Sequence, residues 1–263
     1  MKKSNHDALI IAIIFVVTTS LLYAVLTYET DLEAFDLGEL KALLGDPRPI
    51  IPAEPSIESQ RQRFASQIMQ YAKSENKRLE AARTFINAAI NRQIKKSETD
   101  AVLIYLTKYF GVPENTSLDT IQHELMMRVD GLPPRLVATQ AAIESAWGTS
   151  RFAVNGNNFF GHQCYSKGCG IKPKQSTNPN LEVRTFNSTG DAVAAYYQNI
   201  NSHRAYTKLR TKRAELRVQR EEITVERLIP TLSAYSEQGA EYLKILKSVS
   251  RSDHIQLAAK APQ

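Results

Sequence analysis

The sequence predicts a mainly α protein of the α+β kind, a helical domain with a small β-hairpin lobe, preceded by an N-terminal transmembrane helix. Three observations carry this expectation. Residues 8–28 run without a single charge. Apolar residues then recur at three- and four-residue spacing through most of the chain, the period of an amphipathic helix. In the middle, a stretch rich in Gly, Asn, Cys, Pro and Lys leads into LEVRTF, a short strand pattern.

Taken in order, residues 1–7 read as a cytoplasmic tail carrying Lys2 and Lys3. The run ALIIAIIFVVTTSLLYAVLTY over 8–28 has close to the roughly 20 residues that a helix needs to span a bilayer. Positive charge before it and Glu29, Asp31 and Glu33 after it favour a cytoplasmic N-terminus and export of the rest. The expectation is a single-pass signal anchor in the inner membrane with a periplasmic domain. A cleaved signal peptide is the alternative, although Tyr23, Ala24, Leu26 and Tyr28 form no A-x-A site. Residues 29–60, with Pro47, Pro49, Pro52 and Pro55, read as a stiff linker.

Residues 61–130 form a helical approach segment, with Phe64, Ile68, Tyr71, Leu79, Ala82, Phe85 and Ile86 on its apolar spacing. Ser97 with Asp100 suggests a helix start. Pro133 and Pro134 open the next helix, expected to run to about Trp147 with Gly148 as its stop. After the LEVRTF strand, 188–209 and 224–249 return to helical spacing, and 256–263 reads as a flexible tail. The folded domain is placed at 131–255. Mostly helix with one small β excursion is the shape of a lysozyme-like domain.

Composition excludes several classes. With 263 residues, 43% hydrophobic and 23% charged, 11 Gly, 11 Pro and 2 Cys, the chain is neither collagenous, low-complexity nor disulfide-dense. Cys164 and Cys169, five positions apart, favour a disulfide in an oxidising compartment. Zinc would need His162 and a fourth ligand that is not nearby. Seven Lys/Arg lie between Arg204 and Arg220; a solvated helix face explains them, or attraction to an anionic polymer. The exported location argues against nucleic acid. No G-x-S-x-G, H-E-x-x-H or G-x-x-x-x-G-K-[ST] occurs, and neither metal nor cofactor is expected.

On a helical wheel, Leu136, Gln140, Ile143 and Trp147 share one face, and Val137, Ala141, Glu144 and Gly148 form the next stripe. Glu144 therefore sits among small and apolar residues. Those surroundings disfavour its ionised form and suit a general acid; a solvated helix glutamate is the alternative, and the helical wheel alone does not decide between them.

The segment LPPRLVATQAAIESAWGTSRFAVNGNNFFGHQCYSKGCGIKP carries A-x-E-S-x-W-G-x-S-R-F, then G-N-N-x-F-G, then C-x4-C-G. It resembles the glucosaminidase domain of Bax-type proteins, glycoside hydrolase family 73, which act on peptidoglycan. The likeness continues through EVRTFNS, AAYYQN and AYTKLR to SAYSEQGAEY, covering 131–249. It implies that Glu144 donates the proton. It implies that Asn157, Asn158, Phe160 and Gly161 shape the cleft floor and that Tyr196, with Tyr206 a further match, faces the groove. Either Phe159 or Phe160 is expected in the core, and Ser145 and Trp147 as supports. Glu182 is the candidate second carboxylate, and the alternative is participation of the substrate's own N-acetyl group. The activity implied is endo-β-N-acetylglucosaminidase. Rival readings are a lytic transglycosylase or muramidase, and a catalytically idle module that binds peptidoglycan. The sequence names no protein partner.

Overall fold

The computed structural model describes residues 59–90, 96–113, 117–174, 180–236 and 239–260, together with 176 and 178. The expected anchor at 8–28 and nearly all of the linker lie outside the described residues. Among the described residues no helix is long and apolar enough to cross a membrane.

The longest helix, α1 (Gln60–Ile90), runs for 31 residues. It buries Ala65, Ile68, Ala72, Leu79, Ala82 and Ile86 completely or nearly so, one stripe of an amphipathic helix. Next come α2 (Lys96–Phe110) and α3 (Leu118–Arg128), the latter capped by the Ser117 side chain on Thr120 N–H. Helix α2 starts ahead of Ser97, so the expected cap lies inside its first turn.

Helix α4 (Pro134–Ser145) is the hub. Proline opens it, and Leu136 through Ala142 are all buried, so it is enclosed on every side. Helix α1 packs along it, as does α9 (Ala240–Ser250). The helix ends at Ser145, two residues before the expected Trp147. The Ser145 hydroxyl donates to Ala141 O (2.6 Å) and accepts from Gly148 N–H (2.8 Å), while Trp147 N–H reaches back to Ala142 O (2.8 Å). Ala146, Trp147 and Gly148 are all left-handed, at φ 51°, 59° and 78°.

A short helix α5 (Arg151–Gly156) follows, capped by Ser150. The lobe beyond it is a correction to the expected hairpin. Strands β1 (Gln163–Cys164), β2 (Gly170–Ile171) and β3 (Glu182–Arg184) form an antiparallel sheet in the order β1-β3-β2. The LEVRTF strand thus inserts between the two arms of the cysteine loop. Val183 faces Gln163 on one side and Ile171 on the other.

Helix α6 (Thr189–Ser202) is capped by Ser188, and a 3-10 turn at Arg204–Tyr206 leads into α7 (Thr207–Val218). The expected helix over 224–249 is broken. It becomes α8 (Val225–Leu228), a 3-10 turn containing Pro230, and then α9 after Gly239, whose φ is 51°. Helix α10 (Asp253–Lys260) takes in most of the expected flexible tail. Ile255 and Ala258 bury against the core, and α10 packs on α1. One continuous hydrophobic core includes residues from Ala65 to Ala258, so the approach segment and the following domain share it.

Candidate active site

Glu144 is the penultimate residue of α4. It is open to solvent, yet enough protein surrounds it that loss of hydration raises its pKa, offset in part by hydrogen bonding from Tyr242. The last turn of a helix also carries partial negative charge, which works against a carboxylate there. No charged neighbour among the described residues contributes to the shift. Gly161, left-handed at φ 70°, lies beside the acid: a methyl group added there would stand 4.0 Å from Glu144 Oε2. The left-handed backbone, rather than lack of space, favours glycine there.

Below the acid is a layer of tyrosines. Tyr196, Tyr206, Tyr235 and Tyr242 all feel the charge of Glu144. Gln140, one turn before Glu144, donates to the Tyr242 hydroxyl (2.8 Å) and accepts from the Tyr196 hydroxyl. Tyr242 stacks on Tyr235 at 5.4 Å between ring centres, and Tyr235 meets Tyr206 at 5.9 Å. Burial raises the pKa of each of these phenols, so they are neutral donors. Tyr196 is 1% exposed and lies one layer below the surface. Its hydroxyl is linked by hydrogen bonds to Gln140, and through Gln140 to Tyr242. Tyr206 is also buried, and Tyr235 is half-buried. Tyr197 is packing, its hydroxyl bound to Ala72 O and Asn76 Oδ1.

The NGNN loop supports the site by means other than those expected. Asn157 is the left-handed cap of α5, and its side-chain N–H donates to Phe186 O (3.0 Å). Asn158 is buried; its amide donates to His162 O and Arg184 O and accepts from Phe160 and His162 N–H. This is a correction for Asn158: its amide joins the loop to β3 and is not free for a sugar. Phe160 stacks on Tyr196 at 4.3 Å, and Phe159 packs on Phe64 at 5.7 Å. Both phenylalanines are core. His162 stands edge-on to Phe160 and Phe186, and burial, then Arg184, lowers its pKa to about 4.

Glu182 has a structural task. Its two carboxylate oxygens accept from Gly168 N–H (3.1 Å) and Gly170 N–H (2.8 Å), bonds that lower its pKa. It therefore locks the loop closed by the Cys164–Cys169 disulfide. Cys164, Cys169 and Glu182 approach one another closely enough to suggest ligands, but the sulfurs are bonded to each other and the carboxylate to the backbone.

Residues 122–248 match the Glucosaminidase family model, described as mannosyl-glycoprotein endo-β-N-acetylglucosaminidase. Over 223 residues the chain is 33% identical to Protein bax of Escherichia coli (strain K12), an alignment covering 80% of this chain and 76% of that protein. The chain belongs to the Bax-type glucosaminidase-domain family. No solved structure matches it.

In this Bax-type chain one cavity lies away from Glu144. A space of about 300 Å³ is lined by Asn76, Arg83, Asp130, Pro134 and Arg217, among others. Pro134 and Glu144 are ten residues apart on α4, about 15 Å at 1.5 Å per residue. In the basic run Arg204, Lys208, Arg217 and Arg220 are exposed, as a solvated face requires, whereas Arg210 and Arg213 are buried, at 3% and 0% exposed, and Arg217 also pairs with Asp130. Gln140, Tyr235 and Tyr242 are the site residues that the sequence reading missed. Gln140 was visible on the wheel beside Glu144, and Tyr235 and Tyr242 lay within SAYSEQGAEY without a stated role.

Proposed function

We propose that this glucosaminidase-family protein is an endo-β-N-acetylglucosaminidase that cuts the glycan strands of peptidoglycan, tethered by residues 8–28 to the inner membrane with its domain in the periplasm. The observation that carries the reading is Glu144: solvent-open, its pKa raised by burial, and placed at the end of a helix buried from Leu136 to Ala142 within the family segment. In this reading Glu144 gives its proton to the glycosidic oxygen as the bond from C1 to that oxygen breaks. Glu182 is occupied by backbone N–H groups, so the nucleophile is the acetamido oxygen of the same N-acetylglucosamine. It closes onto C1 from the opposite face. Water then adds to C1, passing a proton to the Glu144 carboxylate and releasing the acetamido group. The product carries a reducing N-acetylglucosamine.

The test is digestion of purified peptidoglycan by the wild-type protein and by Glu144→Gln, with the new ends identified by mass spectrometry. Reducing N-acetylglucosamine ends, formed about 10²–10⁴-fold more slowly by the variant, support the proposal. Anhydro-muramic ends identify a lytic transglycosylase, reducing muramic ends a muramidase, and no ends an idle binding module. Equal rates for both proteins remove Glu144 from the chemistry.

A further inference from the structure

The β lobe has a surface that the catalytic layer does not use. Between His162 and Asn187 the chain carries Lys167, Lys172, Lys174 and Arg184 and a single carboxylate, Glu182. All four cations are exposed, whereas Glu182 is 4% exposed with both oxygens turned to Gly168 and Gly170 N–H. The outer face of the lobe is therefore cationic. At its tip stands Tyr165, 64% exposed, its hydroxyl donating to Gln163 Oε1 (3.0 Å).

An aromatic ring on an ordinary loop would lose rotational freedom on binding. This one is restrained beforehand. The disulfide joins the residues flanking the tip, Glu182 binds the returning arm, and β3 pairs with both arms. Preorganisation of that kind lowers the entropic cost of a contact. Location supplies the occupant. Tyr165 is four residues from Gly161, which borders Glu144; at about 3.3 Å per residue that is at most ~13 Å. A glycan strand engaged at Glu144 and continuing past Gly161 reaches the lobe.

We infer that the β lobe is a secondary subsite for a carboxylate-bearing glycan strand, with Tyr165 stacking on a sugar face and Lys167, Lys172, Lys174 and Arg184 attracting the acids of the attached peptides. The inference rests on the peptidoglycan reading above and adds a substrate preference to it: strands bearing acidic peptides over uncharged chitin-like oligomers.

The experiment has two readouts on the full-length protein. In the first, Tyr165→Ala and the triple variant Lys167→Ala, Lys172→Ala, Lys174→Ala are assayed on intact peptidoglycan and on an uncharged N-acetylglucosamine oligomer. The triple variant is expected to raise KM for peptidoglycan roughly tenfold, flatten its salt dependence, and leave kcat and the neutral oligomer unchanged. Tyr165→Ala is expected to raise KM for both substrates. In the second, the same changes are made in the Glu144→Gln protein and co-sedimentation with insoluble peptidoglycan is measured, so that binding is read without cleavage. Unchanged KM, salt dependence and sedimentation overturn the subsite. If wild-type protein releases no ends yet the variants sediment less, the hydrolase reading fails and the subsite stands.

Discussion

A carboxylic acid serves as a proton donor only while it keeps its proton, and Glu144 has one neighbour that works against this. The Tyr242 hydroxyl donates toward the ionised form and lowers the Glu144 pKa, while burial raises it. Tyr242→Phe removes the lowering influence. The Glu144 pKa rises further, so the fall in activity as pH increases through that pKa moves to higher pH. Gln140 Nε2 loses its acceptor at the same time, a buried group whose loss costs about 1–3 kcal/mol. A pH–rate profile and a urea unfolding curve measure the two effects separately; an unshifted alkaline limb would contradict the proposed tuning. Glu144 was singled out by the A-x-E-S-x-W-G motif and the family it resembles; its small and apolar neighbours on the wheel were consistent with that but did not decide it. Tyr242 was not singled out, because its partners lie about a hundred residues earlier in the chain and no local pattern in AEYLKIL distinguishes it. For Asn158 the residue type was read correctly as a loop residue, but side-chain direction was not legible. Its amide turns inward and donates to the backbone carbonyls of His162 and Arg184, contacts that join residues distant along the chain.

At the level of elements, the turn after Glu144 is where local propensity yields to packing. Ala146 and Trp147 adopt left-handed backbone at a cost of about 1–2 kcal/mol each. Trp147 recovers contacts with the rings of Phe64 and His254 and the guanidinium of Arg61. Gly148 has no such latitude: a Cβ there would lie 2.7 Å from the Phe64 ring. Gly148→Ala is expected to destabilise by about 2–4 kcal/mol through strain and overpacking together. The loss should be less than additive with Phe64→Leu, which relieves the clash; a double-mutant cycle by urea unfolding measures it. Periodicity marked where helix prevails, as in the stripe Ile68–Ala72–Leu79 of α1, but did not separate the individual helices or reach the whole of α7 and α10. It could not order strands of two or three residues. The insertion of β3 between β1 and β2 depends on a disulfide loop and a Glu182 latch, which are tertiary facts. The break before α9 depends on Gly239, whose left-handed backbone periodicity alone does not show.

For the whole molecule, Asp130 is the joint. It sits between α3 and α4 at 2% exposed and meets Arg83 of α1 and Arg213 and Arg217 of α7. Burial acts to raise its pKa, but the Arg217 hydrogen bond and the Arg213 and Arg83 charges outweigh that and lower it. Burial brings Arg213 down to about 10, and its guanidinium also binds the carbonyls of Met127, Asp130 and Gly131. Asp130→Asn leaves these cations without their counter-charge, and a loss of about 3–5 kcal/mol is expected. The depressed pKa gives the sign. Asp130 stabilises the fold above its unfolded value of 3.8, and that contribution disappears as pH falls through the lower folded value. The variant's unfolding midpoint should therefore approach that of wild type in acid; a constant gap would refute the ionic account. The α7 arginines read as a surface charge run because composition does not reveal which side of a helix is covered.

The first turn of α1 has a practical meaning for anyone handling this protein in pieces. Arg61 and Phe64 brace the turn that follows Glu144, and the rest of α1 forms one wall of the core. The family model begins its match some sixty residues later. Cutting the gene at that boundary would keep Glu144 and discard the wall behind it. A portable unit needs α1, which lies before the first residue that the family model matches.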